Sequence, residues 1–166
     1  MKLYVMRHGT AEDESVDGRD ATRALTQQGR ERVRDVARKL VEEDEVPKVI
    51  VASPLVRALQ TAEIVHASQK LDAPLEVNPA IAPHGDSLSF VRDSARNGRK
   101  RMMIVGHEPD LSILVASLVG APISSGFTKA MVVSVRVPID GGDATVRFVL
   151  DPKTLQMHVD HRGSTS

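Results

Sequence analysis

Short runs rich in β-branched residues alternate with amphipathic helical stretches along most of this chain, and no other feature limits its fold so tightly. "KLYVM" (2–6) reads as a short buried strand. In "LTQQGRERVRDVARKLVEED", Val33, Val36, Ala37, Leu40 and Val41 follow the i, i+3, i+4, i+7, i+8 stripe of an amphipathic helix, with Thr26 as its N-cap. "KVIVAS" (48–53) is a second strand, after which Ser53 and Pro54 predict the N-cap and first residue of a helix through "LVRALQTAEIVHASQ". "LEV" (75–77) suits a short strand, and Asp86 a cap for a helix to about Ala95. "RMMIVG" (101–106) is a further strand, followed by a helix with Pro109 in its first turn and Gly120 at its end. "MVVSVRV" and "ATVRFVL" flank the turn signal "PIDGGD" and predict an antiparallel hairpin. The alternation predicts an α/β three-layer sandwich, with a mostly parallel central sheet, helices on both faces and an antiparallel edge hairpin. A length of 166 residues suits one domain, expected over 1–160, with "HRGSTS" (161–166) as a flexible tail.

The ends of the strands carry residues that packing does not call for. The first strand runs straight into Arg7 and His8, where only the following Gly9 has a local reason, as a turn residue free of a Cβ. The second delivers Ser53 and, one helical turn on, Arg57; the "MMIVG" strand delivers His107. Ligands of such sheets bind outside the carboxyl ends of the strands. Neighbouring strands would therefore gather two imidazoles and two guanidiniums in one crevice. That set suits a phosphoryl group. Guanidinium forks donate two bonds each to a dianion, helix N-termini add free N–H groups, and a neutral histidine can attack phosphorus.

Bulk properties exclude several other chemistries. Lys+Arg and Asp+Glu number 22 each, so the chain lacks the basic excess of a general nucleic-acid or membrane-surface binder. The basic run "RNGRKR" (96–101) reads as a solvated helix end and loop. The absence of cysteine removes disulfides, thiolate nucleophiles and Cys-based zinc sites. No apolar stretch approaches the about 20 residues of a spanning helix, and Arg7 interrupts the apolar N-terminus, so the expected location is cytoplasmic. His66 falls in a helical stretch and reads as packed or exposed, and "HVDH" (158–161) lies near the C-terminus with no third ligand in view.

"RHG" after the first strand, "SPLVRALQTAE" after the second and "GHEPDL" after a later one together resemble the histidine phosphatase (phosphoglycerate mutase-like) superfamily. With "TRALTQQG" and "HGD" between these motifs, the short chain is similar to the SixA-type phosphohistidine phosphatases. The resemblance implies that His8 is a nucleophile that becomes phosphorylated, that Arg7, Arg57 and His107 complete a phosphate pocket, and that Arg23 lies near it. His84, in "PHGD", is a loop residue expected to line the pocket. No metal and no organic cofactor are implied. Larger members usually carry a glutamate proton donor after the third motif region; here Glu76, Asp86 and Glu108 are the nearby acids, and none matches that pattern. The expected function is removal of phosphate from phosphohistidine on a protein, of the histidine-containing phosphotransfer type. The alternatives are a phosphatase of small phosphorylated metabolites and a non-catalytic phosphoprotein-binding domain. Only short segments separate the motifs, which predicts an open crevice without a lid.

Overall fold

The computed structural model describes residues 1–124 and 126–158. Its seven strands are β1 (Lys2–Arg7), β2 (Val49–Ala52), β3 (Glu76–Val77), β4 (Arg101–Gly106), β5 (Val132–Arg136), β6 (Thr145–Leu150) and β7 (Met157–His158). They form one sheet in the order β3-β2-β4-β1-β5-β6-β7. β1 to β4 run parallel, and β5, β6 and β7 each run antiparallel to the strand before them in the sheet. The antiparallel part is thus one strand larger than the expected hairpin. A two-residue strand such as β7 is too short to show a period-2 pattern in sequence.

Four helices cover the sheet: α1 (Gln27–Glu42), α2 (Val56–Ser68), α3 (Ser87–Arg96) and α4 (Asp110–Val119). Alternation along β1 assigns the faces. Tyr4 and Met6 join a core with Val33, Val36, Ala37 and Leu40 of α1 and Ala58, Ala62 and Val65 of α2. Leu3 and Val5 join the opposite core, with Val91 and Ala95 of α3 and Leu111, Leu114, Val115 and Leu118 of α4. The inner residues of β1, Leu3 to Met6, are all buried because both faces of the strand are covered. Val41, expected in the apolar stripe of α1, is 45% exposed; the stripe is one residue narrower than the pattern suggests.

Caps appear where the sequence places them at Thr26, whose side chain accepts from Gly29 N, and at Asp86, which accepts from Ser89 N. Gly120 ends α4 in the left-handed region at φ 75°. The start of α2 differs. Its N-cap is Leu55, and Ser53 is left outside the helix, fully buried, with its hydroxyl turned to another partner.

Gly9 also has a different reason from the one expected. It has no positive φ; a Cβ there would lie 2.8 Å from a Val33 methyl and 3.1 Å from the Gly29 carbonyl oxygen. Gly29 faces it from the first turn of α1, and a Cβ at Gly29 would come within 2.2 Å of the Thr10 oxygen. The two glycines therefore let the segment after β1 lie directly on α1, which sets the backbone that carries His8. Gly29→Ala should gain at most about 1 kcal/mol of helix propensity and lose about 3 kcal/mol to the backbone clash. Urea unfolding measures the difference, and a variant as stable as the parent would mean that the Thr10 segment yields freely.

Candidate active site

Parallel register brings the motif residues to one edge. Arg7 of β1 pairs with Gly106 of β4, and Ala52 of β2 with Val105 of β4. The next residues, His8, Ser53 and His107, therefore emerge side by side. Two ladder bonds extend this alignment, from His8 N to Gly106 O (3.2 Å) and from Ser53 N to Val105 O (3.0 Å). The rings of His8 and His107 lie 5.2 Å apart, tilted by 53°.

The His8 ring is held in one tautomer. Its Nδ1 lies 2.7 Å from the Gly9 carbonyl, which can only accept, so Nδ1 carries the proton. Nε2 is then a lone pair, and it accepts from Arg57 Nε at 3.3 Å. Ser53 fixes the second ring. Its Oγ accepts from Leu55 N (3.3 Å) and lies 2.7 Å from His107 Nε2; we assign its own hydrogen to that nitrogen, the tautomer that leaves His107 a donor for an anion. His107 then bears its proton on Nδ1, a buried atom with no protein partner. Arg7 shows the same pattern: one terminal nitrogen donates to Phe127 O at 2.7 Å, while its buried Nε has no partner. Arg7 and His107 stand at the same sheet edge, so an anion bound there can accept from both.

Burial keeps both rings neutral at pH 7. It pushes the pKa of His8 down to about 3; the Gly9 carbonyl opposes this, and the charges of Lys129, His107 and Arg57 add to it. His107 is pushed down to about 4, again chiefly by burial, with Arg57 adding and Asp110 and Asp20 opposing. Each ring binds a proton near pH 6.5 in the unfolded chain and only near pH 4 or below in the folded one. Between those values the unfolded chain holds more protons, so stability falls as pH falls. Going from pH 7 to pH 5 should cost up to about 2 kcal/mol per ring, a window above the titration of the carboxylates. A urea midpoint that stays flat over this range would mean that the rings are hydrated and titrate normally.

The other expected residues divide. Arg57, in the first turn of α2, is 6% exposed and reaches His8 as required. Arg23 is drawn in through Asp20, whose carboxylate accepts from Arg23 Nε at 2.9 Å and from Arg57 Nη2 at 3.2 Å. His84 sits on the rim: it is exposed at φ 64°, and its backbone N–H bonds Asp110, three residues beyond His107. The three acids weighed as proton donors all have partners, and Glu108, next to His107, also supports the guanidinium charge of Arg7. Glu76 pairs with Arg99, Asp86 caps α3, and Glu108 accepts from the N–H and hydroxyl of Ser112 in the first turn of α4. His66 bonds the Ala73 carbonyl, and His158 lies in β7 rather than in a tail, the rest of "HVDH" being outside the described residues. Among the described residues no three His, Cys, Asp or Glu side chains converge as a metal site.

Two site residues carry no sequence signal. Asp20 brings an acid to Arg57 from outside the strand ends, in the 3-10 turn Asp20–Thr22. Lys129 arrives just before β5, on a segment whose Ala130 N–H bonds the His8 carbonyl. Burial lowers the pKa of its ammonium, as do Arg7, Arg23 and Arg57. The crevice is also less open than the short segments suggest. His8 is 3% and His107 4% exposed, because the Arg57 guanidinium lies on Nε2 and Asp20 holds its outer end.

The model of the histidine phosphatase superfamily (branch 1) matches residues 3–82. Phosphohistidine phosphatase SixA of Escherichia coli is 30% identical over 161 residues, covering 95% of this chain and 98% of that protein. The chain belongs to the histidine phosphatase superfamily. It is of the SixA type, and it is a phosphatase. Its fold superposes on the protein histidine phosphatase SixA complexed with tungstate at a TM-score of 0.86 and 28% identity, covering 94% of the phosphatase and 100% of that chain. The mycobacterial glucosyl-3-phosphoglycerate phosphatase shares the fold at a TM-score of 0.66 and 18% identity, covering 87% and 96%. No helix among the described residues of the phosphatase is long and apolar enough to cross a membrane.

Proposed function

We propose that this phosphatase removes the phosphoryl group from phosphohistidine on a protein, through a phosphorylated intermediate on His8. One observation carries the reading: a neutral imidazole with its lone pair fixed at Nε2 stands beside the buried Arg57 and the half-buried Arg7 and Lys129, while the nearby acids are held by other partners. Such a site holds and attacks phosphorus well but has no dedicated group to protonate a poor leaving group. The similarity to a phosphohistidine phosphatase over nearly the whole chain supports the same substrate class.

In the first step Arg57 Nε–H leaves Nε2 and turns to a phosphoryl oxygen. Arg7 Nε–H and His107 Nδ1–H, the two buried donors without partners, take up others. His8 Nε2 forms a bond to phosphorus as the P–N bond of the substrate breaks. The electron pair goes to the leaving ring nitrogen, and a proton already on its other nitrogen lets the ring depart neutral. His8 now carries phosphorus on Nε2 and a proton on Nδ1, still bonded to the Gly9 carbonyl. In the second step water attacks phosphorus, the P–Nε2 bond breaks, and both water hydrogens leave on inorganic phosphate. The Arg7, Arg57 and His107 donors bind the phosphoryl group throughout and gain as its charge redistributes.

Rapid quench with a 32P-labelled substrate tests the intermediate. Label should appear on the protein within one turnover, stable in alkali and lost in acid, as a phosphoramidate is. Turnover with no labelled enzyme at any time would favour direct attack by water.

A further inference from the structure

The Asp20 carboxylate sits at the mouth of a line that begins at the nucleophile. Arg57 gives its Nε to His8 Nε2 (3.3 Å) at the inner end. At the outer end it gives Nη1 to the Asp20 carbonyl (3.0 Å) and Nη2 to Asp20 Oδ2 (3.2 Å). The Arg57 side chain is 7% exposed and that of Asp20 66%, so the line runs from the floor of the site to solvent. Arg23 holds the same carboxylate through Oδ1, with Nε at 2.9 Å and Nη2 at 2.8 Å. Oδ2 accepts one bond from these arginines and keeps a lone pair for another donor.

Attacking and leaving atoms lie roughly in line across phosphorus. A group leaving from opposite His8 must therefore move toward the mouth, where Asp20 stands. A fixed anion there is unfavourable for a phosphatase of general range, since it repels the incoming dianion and an anionic leaving group alike. It favours a leaving group that is cationic while still attached to phosphorus. A phosphohistidine ring protonated on its free nitrogen is such a group.

We propose that Asp20 determines specificity: its Oδ2 accepts a hydrogen bond from the free ring N–H of a phosphohistidine substrate and holds that ring in its protonated form. The idea rests on the phosphohistidine reading above and adds the residue that selects for it. The proton stays on the departing ring as the P–N bond breaks, so Asp20 donates nothing and remains a carboxylate. The Gly9 carbonyl plays the same part for His8 in the second step, accepting from Nδ1–H while the ring is phosphorylated. The two half-reactions thus use two acceptors, one for each imidazole.

The test compares a phosphohistidine peptide with an aryl phosphate, whose phenolate leaves as an anion, on the parent and on Asp20→Asn. Asparagine keeps an oxygen for the arginines and removes the charge. The preference in kcat/KM for phosphohistidine over aryl phosphate should fall roughly tenfold, as befits a charge-assisted hydrogen bond partly screened by solvent. Inhibition by inorganic phosphate should stay as strong or become stronger, because an anion near the dianion is gone. Equal losses on both substrates, with weaker phosphate inhibition, would show that Asp20 only aligns Arg57. Asp20→Ala repeats the comparison if the amide introduces contacts of its own. A parent enzyme with no preference for phosphohistidine would overturn the functional reading itself, whereas a preference that Asp20→Asn retains would overturn only the role of Asp20.

Discussion

Replacing His8 by alanine should reduce turnover by at least on the order of 10⁴-fold on every substrate, the largest effect expected from any single change in the site. Its Nε2 is the lone pair at the focus of Arg57 and the His107 ring, and no other nucleophile stands beside it. His107 is a poor substitute, because its Nε2 is engaged by Ser53 at 2.7 Å. Phosphate should still bind His8→Ala, since Arg7, Arg57 and Lys129 remain. The alanine even removes the lone pair that Arg57 Nε now occupies. Retained phosphate inhibition with lost turnover would separate binding from chemistry. Turnover within tenfold of the parent would place the nucleophile elsewhere.

The catalytic edge is readable from sequence to the extent that it is built from strand ends. Arg7, His8, Ser53 and His107 each follow a recognisable apolar run, and a parallel sheet aligns the carboxyl ends of its strands whatever lies between them. Arg57 comes four residues after Ser53, in the first turn of a helix that the apolar pattern announces. Asp20 and Lys129 have no such marker. Asp20 lies 37 residues before Arg57 in a 3-10 turn, and Lys129 precedes a strand rather than following one. Both reach the site through tertiary contacts that no local pattern encodes. The reason for Gly9 was hidden in the same way. A turn glycine and a packing glycine look alike until Gly29 is brought opposite. The depth of the site was also not legible, because it depends on where the Arg57 side chain rests, while segment lengths report only on backbone loops.

The order of substrates by leaving group is the other large effect, and it follows from which acids the site lacks. Expelling an alkoxide from a sugar phosphate or phosphoserine creates a base about as strong as hydroxide, water having a pKa of about 15.7. Near neutral pH that requires a positioned general acid. Glu76 is held by Arg99, Asp86 caps α3 and Glu108 accepts from Ser112 in the first turn of α4. Asp20 is held as a carboxylate by Arg23 and Arg57, which lower its pKa against a smaller opposing effect of desolvation. His107 is neutral at pH 7, its pKa pushed down to about 4 chiefly by burial, and its Nε2 is engaged by Ser53. A phosphohistidine needs none of these, because solvent protonates its free nitrogen before attack. Aryl phosphates fall between, as a phenol has a pKa of about 10. The expected order of kcat/KM is therefore phosphohistidine peptide, then aryl phosphate, then sugar phosphate or phosphoserine. The two ends should differ by at least on the order of 10³-fold, the upper part of what general acid catalysis contributes. Glu76→Gln, Asp86→Asn and Glu108→Gln, each tested for fold, should leave the order unchanged. If a sugar phosphate is hydrolysed as fast as the phosphohistidine peptide, and one of these variants removes that activity alone, a true proton donor exists. The site would then serve small phosphorylated metabolites.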